Sequence, residues 1–250
     1  MNFTERNYKT NDERTKESVD KFDKSKLLKL LVGNNETPII FDVGANQGQS
    51  VEYYRRLFPN CIIHCFEPDT DTFKTLSENC KGLENVFLNN FGIGSETNTL
   101  EFYKHDINSE MNGFIKVNTK SKDSISLNSD KSEEYKTKIN HISTAKIMKL
   151  CDYINDNKID KIDLLKLDTQ GFEEECLKGI ENNFDKINVI LTEIMFYDLY
   201  EKSVSFYDLE KYLIPNNFKL YDISHMSKNP MNGRLDWVDA IYTKNYSVST

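Results

Sequence analysis

Phe41-Asp42-Val43-Gly44-Ala45-Asn46-Gln47-Gly48-Gln49-Ser50 joins an apolar run to an amphipathic one. Upstream, Pro38 to Val43 is a short apolar run, broken by Asp42 alone and ending at Gly44. That is the pattern of a buried parallel strand. Downstream, Gln49 to Phe58 has helical spacing and is closed by Pro59-Asn60. A glycine loop between a strand and a helix is where open α/β sheets bind their ligands.

The alternation continues outward from this loop. Cys61 to Phe66 predicts a second buried strand, Asp69 to Cys80 a helix, and Asn85 to Leu88 a third strand. Further on, the pattern predicts a helix over Ser143 to Asn157 and a fourth strand over Ile162 to Leu167. A helix over Phe172 to Phe184, a fifth strand over Val189 to Ile194 and a helix over Ser205 to Leu213 follow. Two terminal strands, Phe218 to Ile223 and Trp237 to Thr243, flank the Asn232-Gly233 turn region. Strands alternating with helices imply an α/β, doubly wound, mostly parallel sheet, here with an antiparallel C-terminal edge.

Two regions depart from the rhythm. Residues 1–35 comprise a polar N-terminal segment and an amphipathic helix over Ser18 to Val32 with Val19, Phe22, Leu27, Leu28, Leu30 and Leu31 on its apolar face. Thr97 to Tyr103 predicts a strand, half of a hairpin, and 104–140 is a long polar insertion. Such a length with few apolar anchors signals a lid, a binding insertion or disorder, and acceptor specificity is expected there.

Composition narrows the function classes. A net charge of −8 argues against nonspecific nucleic-acid binding, which needs an excess of cations against phosphate. The charged start and the absence of any span-length apolar run lead to the expectation of a cytoplasmic protein without a membrane span. The five cysteines show neither a CxxC pair nor zinc spacing, so free buried thiols and no metal are expected.

Charge also separates the cofactors that such a loop can hold. A dinucleotide site wants G-x-G-x-x-G around a pyrophosphate, whereas Gly44 and Gly48 are spaced G-x-x-x-G beside Asp42. A carboxylate there repels a diphosphate and suits S-adenosylmethionine, which carries a sulfonium and an ammonium. Glu67, in Phe66-Glu67-Pro68, lies about 20 residues past the loop and is placed to accept ribose hydroxyls. Asp42 and Glu67 read alternatively as loop carboxylates that cap helices.

Leu165-Lys166-Leu167-Asp168-Thr169-Gln170-Gly171-Phe172-Glu173 ends the fourth strand. Asp168 is placed to orient a substrate hydroxyl or accept its proton, or else to cap the next helix. Glu173 is either a substrate contact or an ordinary acidic first-turn residue. Glu193 is a lone charge in the fifth strand and reads as a rim residue near substrate or as half of an ion pair. His105 and His141 flank the insertion within reach of an acceptor, and His64 reads as a core histidine. The aromatic run Phe196-Tyr197-Asp198-Leu199-Tyr200 suits either sugar stacking or core packing.

Asp42-Val-Gly-Ala-Asn-Gln-Gly48, Phe66-Glu-Pro68, Leu164 to Glu173, and Thr192-Glu193, in that order, resemble the FkbM-type methyltransferases. The tail Gly233 to Ile241 is similar to that family's closing strand, so the resemblance runs from about Ile39 to Thr243. It implies a class I methyltransferase fold over 36–246 and O-methylation of a hydroxyl on a sugar, glycan or natural-product precursor. It places Asp42, Gly44, Asn46 and Gly48 around the methionine part of S-adenosylmethionine, Glu67 at the ribose, and Asn89 or Asn90 near the adenine. Gln47, Ser50 and Pro68 complete that cofactor set, with Asp168 and Glu193 as catalytic residues and Gln170, Glu173, His105 and His141 facing substrate. Many members carry Glu where this chain has Gln170, which moves any proton transfer to Asp168 or water. Some methyltransferases hold a divalent metal between carboxylates placed like Asp168 and Glu193, but no ligand cluster here compels one. N-methylation of a small amine or protein side chain, or a cofactor-binding scaffold without turnover, are the alternatives.

Overall fold

Apolar runs of five or six residues form the parallel centre of the sheet. In the computed structural model, which describes residues 9–106, 108–121 and 137–244, β1 (Ile39–Val43) pairs in parallel with β2 (Ile62–Phe66) and with β7 (Ile162–Leu167). Beyond β2 lies β3 (Val86–Asn89), and beyond β7 lies β8 (Ile187–Met195). The antiparallel β10 (Leu235–Thr243) and β9 (Lys219–Lys228) finish the order β3-β2-β1-β7-β8-β10-β9. The chain moves outward in opposite directions from β1 and β7, so the switch point lies between their C-terminal ends.

Each face of this sheet carries its own core. Ile40, Ile63 and Leu164 pack under α2 (Lys24–Val32), α3 (Gln49–Leu57) and α4 (Thr70–Asn79). Phe41, Leu165 and Ile190 face α5 (Leu150–Asp156), α6 (Glu173–Lys178) and α7 (Phe206–Leu213). The five cysteines are buried free thiols.

The N-terminal segment differs from expectation. Asn11–Lys21 is a helix of its own, α1, opened by a capping box between Thr10 and Glu13. The single helix expected from Ser18 to Val32 breaks at Phe22-Asp23. The Asp23 carboxylate caps α2 by accepting from the Lys26 N–H at 2.8 Å, which fixes a new start, and Val19 and Phe22 are left exposed.

The second difference lies in the helix expected over Ser143 to Asn157. Its first half is β6 (His141–Lys149), and only Leu150–Asp156 is helical. Ala145 and Ile147 are buried while Thr144 and Lys146 are not, a period of two that outweighs the helical reading. With β4 (Gly92–Gly94) and β5 (Asn98–Lys104), β6 forms a three-stranded sheet in the order β4-β6-β5. The partner of β5 is therefore not a local hairpin but a strand beyond the insertion, with Lys104 opposite His141. The helix expected over Phe172 to Phe184 is likewise split, into α6 and a 3-10 turn at Glu181–Lys186.

The insertion thus leaves and re-enters at one point. Its first part runs through a 3-10 turn at Ser109–Met111 and packs Val117 with Ile139, Tyr197, Leu199 and Tyr200. Residues 107 and 122–136 of the expected insertion lie outside the described residues.

One glycine fixes how closely β1 and β7 approach at the switch point. Gly44 has φ +83°, and a Cβ there would lie 1.8 Å from the Asp168 carbonyl oxygen. Gly82 has φ +81° but open space around it. Gly44→Ala is expected to cost at least about 2 kcal/mol of unfolding free energy, against about 1 kcal/mol for Gly82→Ala. Urea unfolding of both variants checks this; equal losses would mean the close strand approach carries no energy.

Candidate functional site

A cavity of about 320 Å³ opens at the C-terminal ends of β1, β2 and β7. That is within the size of small-molecule sites, roughly 300–1,000 Å³. The loop from Gly44 to Ser50 forms its floor, Glu67 and Pro68 one side, and Lys166 to Gln170 with Glu193 the other. The turn from Ser109 to Phe114 closes over the top, latched by the Ser109 hydroxyl, which donates to Asn46 Oδ1 at 3.1 Å. Its charged lining is Glu67, Glu110, Asp168 and Glu193 against the single cation Lys166.

Glu67 is held by backbone. The Asn46 N–H donates to Oε2 at 3.0 Å and the Asp69 N–H to Oε1 at 2.8 Å. Asn46 takes a left-handed φ of +46° to aim its N–H this way. Burial nevertheless pushes the Glu67 carboxyl up to about 7, with Asp69 and Asp42 adding to the effect of burial. Neighbouring Gly48, at φ +95°, leaves room for Leu76 of α4, whose Cδ1 would lie 3.0 Å from a Cβ. The freedom of both loop glycines is therefore used against the protein's own strands and helices.

On the opposite side stands a chain of polar groups. Lys166 Nζ lies 3.0 Å from Asp42 Oδ1 and 3.3 Å from Asp168 Oδ2. Burial lowers the affinity of Lys166 for its proton, but the carboxylates of Asp42 and Asp168 outweigh burial and hold it charged. Gln170, at φ +56°, donates from Nε2 to Asp168 Oδ1 at 2.9 Å and accepts from the Tyr200 hydroxyl at 2.7 Å. A glutamate in place of Gln170 would set a second carboxylate against Asp168; the amide supplies a donor instead. Glu193 lies nearby with Oε2 buried and without a hydrogen-bond partner. Burial, then Asp168, Glu173 and Asp239, push its carboxyl up to about 9.

Of the residues expected at the site, Gly44, Asn46, Ser50, Glu67, Pro68, Asp168, Gln170 and Glu193 line the cavity. Asp42 lies beneath it, fully buried against Lys166. Gln47 and Gly48 line a separate groove between α3 and α4. The amides of Asn89 and Asn90 are engaged on the carbonyls of Cys65 and Glu67, where they hold the ends of β2 and β3. Glu173 accepts from the Thr169 and Gly171 N–H groups and so braces the turn that carries Asp168. His105, pushed down to about 4 by burial, joins the two ends of the insertion through Nδ1, which accepts from the Asn140 N–H. His141 is exposed and pairs with Asp106. His64 is a core ring, stacked on Phe87 and bonded to Tyr153.

Sequence reasoning missed Lys166, Tyr200 as a partner of Gln170, and the Ser109–Phe114 turn. The signal for Lys166 was present. It is a charge among the apolar residues Leu164, Leu165 and Leu167, an anomaly of the kind that singled out Glu193.

The family described as methyltransferase FkbM domain matches residues 42–221, which include the loop, Glu67, Asp168 and Glu193. The chain belongs to this family. Its fold is accordingly the class I methyltransferase fold. Relatives include the 2-O-methyltransferase NoeI of Sinorhizobium fredii, 26% identical over 175 residues, covering 66% of this chain and 66% of that protein. The hexuronic acid methyltransferase AglP of Haloferax volcanii is 26% identical over 172 residues, covering 66% of this chain and 59% of its own length. Methyltransferase 1 of Beauveria bassiana is 25% identical over 161 residues, covering 62% and 64%. The chain therefore spans about two thirds or less of these relatives. Among the described residues, no helix is long and apolar enough to cross a membrane.

Two outcomes follow from the charges. Lys166→Met leaves Asp42 buried without a partner and should cost about 3–5 kcal/mol, most of it recovered in Asp42→Asn/Lys166→Met. Urea unfolding of the single and double variants decides it, and an additive double variant would refute the pairing. For Glu193 the folded pKa, about 9, exceeds the ordinary 4.5. Its contribution to stability is thus full below 4.5 and lost as pH rises through about 9. Glu193→Gln should therefore gain stability over the wild type as pH rises past neutrality; parallel pH curves would contradict this.

Proposed function

We propose that the chain is an S-adenosylmethionine-dependent O-methyltransferase acting on a hydroxyl of a sugar or glycan. The observation that carries this reading is the charge of the cavity. Four carboxylates line it, and its one cation is already engaged by Asp42 and Asp168. A pyrophosphate would meet carboxylates with no ammonium or guanidinium to offset them, whereas a sulfonium and an ammonium are welcome.

The residues present fit the methyl donor. Glu67 gives one lone pair on each oxygen to a backbone N–H, and its remaining lone pairs can accept hydroxyls of a ribose. Gly92, Ile93, Phe102 and Phe114 offer an apolar patch for a flat base. Bound there, S-adenosylmethionine supplies an electrophilic methyl group on a cationic sulfur. The protein's part is to hold an acceptor oxygen in line with that methyl and to receive the proton it loses. Asp168 is placed for both: it is partly exposed on the rim, while Lys166 and Gln170 fix its two oxygens. The names of NoeI, a 2-O-methyltransferase, and AglP, a hexuronic acid methyltransferase, support a hydroxyl-bearing sugar as acceptor.

Calorimetry should show tight binding of adenosylhomocysteine and none of NAD. In Asp168→Ala, methyl transfer from labelled donor into fractionated cell extract should fall by about a hundredfold or more, with adenosylhomocysteine affinity changed less than about threefold. Binding of NAD in preference to adenosylhomocysteine would refute the reading, and unchanged transfer would remove Asp168 from its role.

A further inference from the structure

A second cavity, also of about 320 Å³, adjoins the first. The two share Gln49, Ser50, Lys166, Asp168 and Glu193 as a common wall. Any group that passes between their occupants has to pass at this wall, where the carboxylates of Asp168 and Glu193 stand. The far side of the second cavity is built by Lys24 of α2, Tyr53 of α3, and Trp237 and Asp239 of β10. Three of these four residues lie outside the stretch 42–221 that matches the family.

The chemistry of these far walls is specific. Tyr53 and Trp237 are half-buried aromatic residues. The indole of Trp237 is fixed by stacking on His225, with ring centroids 5.0 Å apart. The Tyr53 hydroxyl is fixed by Ser25 at 2.9 Å. Held aromatic faces beside hydrogen-bonding carboxylates suit a ring with an apolar C–H face and hydroxyls at its edge. Charge then selects among such rings. Lys24 Nζ is paired with Asp239 at 2.9 Å, and Lys166 is paired as described above. Asp239 and Asp168 are matched by those two engaged cations, so an acceptor carboxylate would find no cation left to partner it.

We infer that this second cavity is the acceptor subsite, that it takes a neutral, hydroxyl-bearing sugar ring, and that the segments flanking the family-matched stretch set the specificity. The inference rests on the methyl-transfer reading above. It moves specificity away from the insertion, whose Ser109–Phe114 turn closes the first cavity and is absent from the lining of the second. It also sets this chain apart from a relative named for a hexuronic acid.

Trp237 is the only tryptophan of the chain, so tryptophan emission comes from one wall of this cavity. The full chain, saturated with adenosylhomocysteine, is titrated with neutral methyl glycosides and with the matching methyl hexuronides. Neutral glycosides are expected to give a saturable change in emission, and hexuronides to bind about tenfold more weakly. Tyr53→Ala and Asp239→Asn should each weaken the neutral glycoside by about tenfold, with calorimetric affinity for adenosylhomocysteine kept within about twofold. A flat response in a chain that still binds adenosylhomocysteine overturns the acceptor assignment and leaves the methyl-donor reading in place. Tighter binding of hexuronides overturns the neutral acceptor, and a response undiminished in both variants overturns the location. Failure of the wild-type chain to bind adenosylhomocysteine overturns the methyl-donor reading instead, and the acceptor assignment with it.

Discussion

The ammonium of Lys166, held between Asp42 and Asp168, is the constraint on which the site depends. Asp42 is wholly buried on the central strand, and an ionised carboxylate in that position is not tolerated without a partner. Lys166 comes from the adjacent parallel strand, and its residue lies directly opposite Asp42 in the register. The pair therefore exists only when β1 and β7 are in the correct alignment. Buried ion pairs add little net stability because desolvation opposes the attraction. What this one adds is position: the second contact of Lys166, with Asp168, transmits the strand register to the rim of the cavity.

The same logic extends outward through side chains that carry no charge. Gln170 joins Asp168 to Tyr200, and Tyr200 belongs to the small apolar cluster that anchors the start of the insertion. Glu173 braces the turn between them through two backbone amides. The Asp168 carboxylate thus depends on groups contributed by β1, β7, the turn after β7 and the segment after β8. Holding an oxygen in line with a methyl group asks for this kind of rigidity more than for any special acid or base.

Much of this was legible in the sequence where a local pattern coincides with a local cause. The strand-loop-helix at Phe41 to Ser50, the strand-end Glu67 and the rim carboxylate Asp168 all follow from apolar runs ending in glycine or acid. Legibility failed where the cause is distant. Ser143 to Lys149 carries a period of two within a stretch also compatible with helix, and only its pairing with β5 across the insertion decides between them. Asp42 was read as facing a ligand because nothing local shows that Lys166, far along the chain, reaches it first. The resemblance places Gly44 and Gly48 around the cofactor, yet the atoms a Cβ would meet there belong to the Asp168 carbonyl and Leu76. The walls of the second cavity from Lys24, Trp237 and Asp239 have no motif at all, since residues from both ends of the chain meet only after folding.

A cationic ligand is favoured by a set of residues and not by one alone. Asp42 is neutralised by Lys166 and repels nothing on its own. Glu67 and Glu193 take its place: burial raises the first to about 7 and the second to about 9, so both are partly or mostly protonated at neutral pH. A cation that enters the cavity stabilises their ionised forms, and hydroxyls that donate to Glu67 do the same. Cation binding and proton release are then linked by thermodynamic necessity. Such a cavity becomes more anionic when a cation enters it. The desolvation cost of holding several buried carboxylates is thereby avoided until a positive charge is present to offset it.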